Sequence, residues 1–84
     1  MDILEIKALA EKGNSLIEES ILNLLKLYPD GLSNSEIASN LNLRSSHEGS
    51  QTNYLTYSVL GNLMSKNMIS KRKYGAKNVK FFLK

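Results

Sequence analysis

A small α+β domain, mainly helical and closed by a C-terminal β-hairpin, is what this sequence predicts, and three observations carry it. Capping-box pairs Asp2/Glu5, Ser15/Glu18 and Ser33/Glu36 each open an apolar stretch of helical period. The run from Gln51 to Lys66 carries apolar residues at helical spacing and no charge before its last residue. Residues 69–84 instead alternate with a period of two, rich in β-branched and aromatic side chains. With 84 residues and no repeat or internal linker, the chain is expected to form one domain, residues 1–84. A domain of that size buries roughly 60% of its unfolded surface, which makes for modest stability.

In chain order, Asp2 caps a first helix holding Ile3, Leu4, Ile6, Leu9 and Ala10, which Gly13-Asn14 should stop, giving an N-terminal helix over residues 1–13 ahead of a core over 15–84. That helix is expected either to pack on the core or to be shared with a second subunit. Ser15 then opens the central core helix, running to Tyr28 with Leu16, Ile17, Ile21, Leu24, Leu25 and Tyr28 on its apolar face. Pro29-Asp30-Gly31 is a turn, and Leu32 is expected as a short strand beside the hairpin. Ser33 caps a short helix with Ile37, Ala38 and Leu41 inward, and Asn42 ends it in the left-handed conformation that Asn tolerates. The polar stretch from Arg44 to Ser50 reads as a loop, with His47 either solvated or on a phosphate.

The helix over 51–66 is expected to turn Tyr57, Leu60, Leu63 and Met64 inward, with Leu55 and Val59 on its flank. Gly61 costs about 1 kcal/mol relative to Ala there, which implies a close helix crossing or a ligand near the backbone. In the hairpin, Ile69, Lys71 and Lys73 alternate with Ser70, Arg72 and Tyr74, and Val79, Phe81 and Leu83 with Lys80, Phe82 and Lys84.

Composition restricts the function classes. Zero cysteines exclude disulfides and thiolate zinc sites, and one histidine cannot build a histidine cluster. No apolar run approaches the ~20 residues of a membrane helix, and the N-terminus lacks a signal-peptide pattern, so a cytoplasmic location is expected. No nucleophile–base pair, carboxylate cluster or phosphate-cradling glycine loop is present, so neither an enzyme nor a cofactor is expected. The formal charge of +3 is unevenly spread. Residues 1–42 hold three lysines against seven carboxylates, a net −4; residues 43–84 hold eight cations against Glu48 alone, a net +7. Such a dipolar chain should attract a polyanion with its C-terminal half, either nucleic acid or an acidic protein surface.

The polar residues of the 51–66 helix are uncharged up to Lys66, and hydroxyls, amides and phenols suit base edges and phosphates. Candidate DNA-binding residues are therefore Arg44, Ser46, Gln51, Asn53, Tyr54, Tyr57, Ser58 and Asn62, followed by the hairpin cations Lys71, Arg72, Lys73, Lys77 and Lys80.

Two stretches add a family resemblance. Gly31-Leu-Ser-Asn-Ser-Glu-Ile-Ala-Ser-Asn-Leu-Asn-Leu43 resembles the second helix of the winged helix-turn-helix family, and Val59-Leu-Gly-Asn-Leu-Met-Ser-Lys-Asn-Met-Ile69 resembles its exit from recognition helix to wing. Asn42 and Asn67 stand where that family usually has Gly. The likeness covers residues 15–84; the stretch from Gly31 to Leu63 is also similar to winged-helix modules that accompany restriction-type nucleases. It implies sequence-specific binding to double-stranded DNA, as in a transcriptional regulator, with helix 51–66 in the major groove and wing 69–83 on the backbone. Two alternatives stay open: a protein-interaction winged helix in a larger assembly, and a DNA-targeting module working with a nuclease. A homodimer through the N-terminal helix is a further expectation.

Overall fold

The computed structural model describes residues 1–43, 53–75 and 78–84. Helix α1 spans Ile3–Leu27, α2 Asn34–Asn40 and α3 Tyr54–Ser65, followed by strands β1, Ile69–Tyr74, and β2, Asn78–Leu83. The expected break at Gly13-Asn14 does not occur. Asp2 caps the helix as anticipated, its Oδ1 accepting from the Glu5 N–H at 2.9 Å, but α1 then runs unbroken through Ser15. Glycine stops a helix only where it takes up the left-handed conformation, and Gly13 does not. Flanked by Ala8, Leu9 and Ala10 before it and Leu16 and Glu18 after it, it merely weakens a helix that the neighbouring residues sustain. The Ser15/Glu18 pair is therefore mid-helix and caps nothing.

Both ends of α2 and the C-terminal end of α3 behave as the sequence implies, but α3 starts at Tyr54 and not at the expected Gln51, because Asn53 takes a left-handed φ of 62°. Ser33 Oγ accepts from the Glu36 N–H while Glu36 Oε1 accepts from the Ser33 N–H, a complete capping box. Asn42 and Asn67 adopt φ of 58° and 65°. Each follows a helix whose last carbonyls are closed in the same paired pattern. Leu43 N bonds Ala38 O and Asn42 N bonds Ser39 O; Met68 N bonds Leu63 O and Asn67 N bonds Met64 O. Two asparagines thus do the work usually given to glycine. Gly31, at φ 86°, has no substitute: a Cβ there would lie 2.7 Å from the Phe82 ring.

The core joins Ile21 and Leu25 of α1, Ile37 of α2, Val59, Leu60 and Leu63 of α3, Ile69, Phe81 and Leu32. On α3 the buried side is rotated from the one expected. Thr56, Val59, Leu60 and Leu63 face inward, Tyr57 and Leu55 are exposed, and Met64 is half-buried. A buried phenol needs a partner for its hydroxyl, whereas at the interface Tyr57 keeps that group in water. The helix settles with the smaller Thr56 inside. Thr56 Oγ1 nonetheless has no hydrogen-bonding partner.

Strands β1 and β2 pair antiparallel in the register Ile69↔Leu83, Lys71↔Phe81 and Lys73↔Val79 on one face, with Ser70↔Phe82, Arg72↔Lys80 and Tyr74↔Asn78 on the other. Leu32 adds a third, one-residue strand: its N–H donates to Phe81 O at 3.1 Å and its carbonyl accepts from Phe81 N at 2.8 Å. The radius of gyration, 13.8 Å, exceeds the ~12 Å of a compact chain this long. The excess comes from α1, about 37 Å long at 1.5 Å per residue, whose first ten residues are all exposed.

Replacing Thr56 by Val keeps the shape of the buried side chain and removes a hydroxyl that bonds to nothing. The variant is expected to gain about 1 kcal/mol, or roughly 4–8 °C in melting temperature by thermal denaturation. A lower melting temperature would mean that the hydroxyl is held after all.

Candidate nucleic-acid interface

Because Thr56, Val59, Leu60 and Leu63 are buried, the opposite side of α3 is fixed by helical geometry. It consists of Tyr54, Tyr57, Ser58, Gly61, Asn62 and Ser65, and carries no charge. Tyr54 and Tyr57 are 63% and 58% exposed, so their phenol groups stand in solvent. Gly61, expected to mark a helix crossing, has no atom within 4 Å of where a Cβ would sit. Packing does not explain it; it leaves a shallow gap on the outer face of α3. Lys66, the first charge after that face, turns away to form a two-pronged bond with Glu18 of α1 at 2.8 and 3.1 Å. That pair ties the end of α3 to the middle of α1.

Asn53 is placed differently from the other candidates. It is buried, has φ 62°, and its carbonyl accepts from the Tyr57 N–H and from Asn34 Nδ2 at 3.3 Å. It shapes the start of α3 and does not lie on the exposed face. Arg44, Ser46, Gln51 and Lys77, like His47, lie outside the described residues.

The hairpin cations, read from the sequence as one group, divide between two faces. Lys71 and Lys73 share a face with Ile69, Val79 and Phe81, the face turned toward the helices. Lys71 lines a cleft of about 320 Å³ together with Tyr57 and Met64 of α3 and Ser33, Asn34 and Ser35 at the start of α2. Arg72 and Lys80 lie on the other face and are engaged with aromatic rings. The Arg72 guanidinium sits 5.3 Å from the centre of Phe82 and Lys80 Nζ 5.9 Å from that of Tyr74. The cleft joins α2, α3 and β1 through residues far apart in the chain that no local pattern associates, such as Asn34 and Met64. Their proximity comes from the long-range pairing of Leu32 with Phe81, which sets the hairpin against the start of α2.

Electrostatically the site is a neutral strip beside a positive ridge, with the acidic residues of α1 elsewhere. One carboxylate lies close. Glu36 is held below the usual carboxylate range, chiefly by the Ser33 backbone N–H, then by the Ser33 hydroxyl, with a smaller contribution from Lys80. Among the described residues, no group of three or more His, Cys, Asp or Glu side chains is placed to hold a metal ion.

A depressed folded pKa means that Glu36 stabilises the fold above its unfolded pKa and loses that contribution as pH falls through the folded value. Glu36→Gln retains an acceptor for the Ser33 N–H and removes only the charge. It is expected to melt below the parent at pH 7, with the gap closing below about pH 4. A gap independent of pH would assign the effect to shape instead. Comparison of the chain with protein-family models, curated proteins and solved structures gives no match, so its functional reading rests on the geometry of the chain itself.

Proposed function

We propose that this chain is a winged helix that binds double-stranded DNA sequence-specifically, as a transcriptional regulator does, with α3 in the major groove and the hairpin on the backbone. The observation that carries the reading is the pairing of an uncharged, hydrogen-bonding outer face on α3 with a cationic strand beside it. Base edges are read by neutral donors and acceptors, whereas phosphates are held by cations, and here the two kinds of group are spatially separated. The order helix, one-residue strand, two helices and hairpin, with Leu32 paired to Phe81, supports the winged arrangement. Gly61 supports it too, since a missing side chain in the middle of the outer face lets the helix backbone approach a groove.

Within this reading the two faces of the hairpin have different tasks. Lys71, which lines the cleft beside α3, and Lys73, on the same hairpin face, hold phosphates; Arg72 and Lys80, stacked on Phe82 and Tyr74, stiffen the wing. The double variant Lys71→Ala/Lys73→Ala should bind every duplex more weakly. The slope of log K against log salt should become shallower by roughly 0.9 per lost phosphate contact, or about 1.8 for two. Arg72→Ala/Lys80→Ala should leave that slope nearly unchanged. If neither pair alters affinity for random duplex, the basic hairpin serves an acidic protein partner and the DNA reading fails.

Asn62 lies on the outer face of α3 and bears an amide suited to adenine. On a preferred site selected from random duplexes, Asn62→Ala should cost on the order of 1–3 kcal/mol, with no loss on unrelated duplex and no change in salt slope. Equal losses on both kinds of DNA would remove α3 from base reading.

A further inference from the structure

We propose that α1 is the interface of a homodimer, in which two copies of the helix pack antiparallel along the stripe Ile6, Leu9, Gly13, Leu16 and Ser20. The stripe follows from the continuity of α1. Once the helix runs through Gly13, these residues recur at alternating spacings of three and four on one side. That side lies roughly 120° around the helix from Ile21 and Leu25, which enter the core of the same chain. Ile6, Leu9 and Leu16 are 49%, 56% and 53% exposed.

The polar residue that interrupts the stripe is already satisfied within the helix. Ser20 Oγ donates to Leu16 O at 2.8 Å, so covering it strands no donor, and Asn23, just beyond the stripe, donates one of its two amide hydrogens to Glu19 O at 2.9 Å. Gly13 has nothing within 4 Å of its would-be Cβ, so no contact in its own chain accounts for a glycine in mid-helix. In the antiparallel pair it faces Leu16 of the second copy, and the absent side chain is the space that leucine fills.

Charge selects both the occupant and the direction. Along one edge of the stripe stand Glu5, Lys12, Glu19 and Lys26, seven residues apart, alternating in sign and all exposed. Two such helices, antiparallel and centred between Asn14 and Ser15, bring Glu5 to within two residues, about 3 Å along the axis, of level with Lys26 of the other copy, and Lys12 likewise with Glu19 of the other copy. By symmetry each pair occurs twice. In a parallel pair the same edge would face Ala10, Ile17 and Leu24 and find no opposite charge. The edge of α1 is complementary to itself reversed, and a second copy of this chain is the partner that fits it.

Sedimentation equilibrium of the full chain, without DNA, tests this independently of the DNA reading. The parent chain is expected to be a dimer. Lys12→Glu and Glu19→Lys should each raise its dissociation constant on the order of tenfold at low salt, because each turns two attractions into repulsions. Neither position has a charged neighbour three or four residues away, so the swaps leave α1 itself unchanged. The double variant Lys12→Glu/Glu19→Lys restores both pairs with reversed sign and should return to within about threefold of the parent. A chain that stays monomeric at all concentrations overturns the proposal. So does a double variant as weak as either single one.

Discussion

The fold depends on one short backbone pairing. Leu32 and Phe81 exchange two hydrogen bonds, both side chains are buried, and Ser33, the next residue, caps α2. This pairing fixes the hairpin to the start of α2, so the angle between hairpin and helices is set by backbone geometry and not by flexible side chains. It also brings Phe82 over Gly31, where only a glycine leaves room for the ring. Without it the hairpin would be a two-stranded ribbon, which is marginally stable in water on its own. With it, the apolar face of the hairpin closes the core over Ile37 and Leu63.

Around that anchor, stability and surface chemistry are divided by helix face. Four neighbouring positions of α3, Thr56, Val59, Leu60 and Leu63, fill the core, which leaves its outer face free of any packing duty. Lys66 is drawn off to Glu18, whose side chain is only 15% exposed, and this keeps the outer face of α3 neutral along its whole length. The hairpin works in a similar way. Its register places Lys71 and Lys73 on the face that turns toward the helices and stacks Arg72 and Lys80 on the aromatic side chains of the far face.

The left-handed residues set the lengths of the elements. Asn42 ends α2 after seven residues and Asn67 ends α3 at Ser65, each by closing the last carbonyls onto the following turn. Asn tolerates this conformation because its short amide costs little there, whereas most side chains would be strained. α1 lacks such a residue until the turn at Tyr28–Gly31 and is therefore the longest element, reaching well beyond the body of the domain. Its exposed half is a consequence of that missing stop.

By itself the sequence determined the kinds of element and most of their ends. Capping at Asp2 and Ser33, the asparagine stops, the proline-led turn before Gly31, the Leu32 strand and the hairpin are all local chemistry, and the structure contains each of them. What the tertiary structure alone decided was rotation and continuity. Whether Gly13-Asn14 ends a helix depends on which backbone conformation wins, and there the neighbouring helix formers outweigh a weak stop. Which side of α3 is buried depends on how Thr56 and Tyr57 compete for the interior, and the residue with the smaller polar side chain is the one enclosed. Asn53 shows the same limit: its residue type suits a base edge, but only packing places it inside. The two faces of the hairpin, and hence the division of its cations, follow from the strand register and from which face the helices cover. Period-two alternation separates two sets of residues, and only the packed core decides which set points inward.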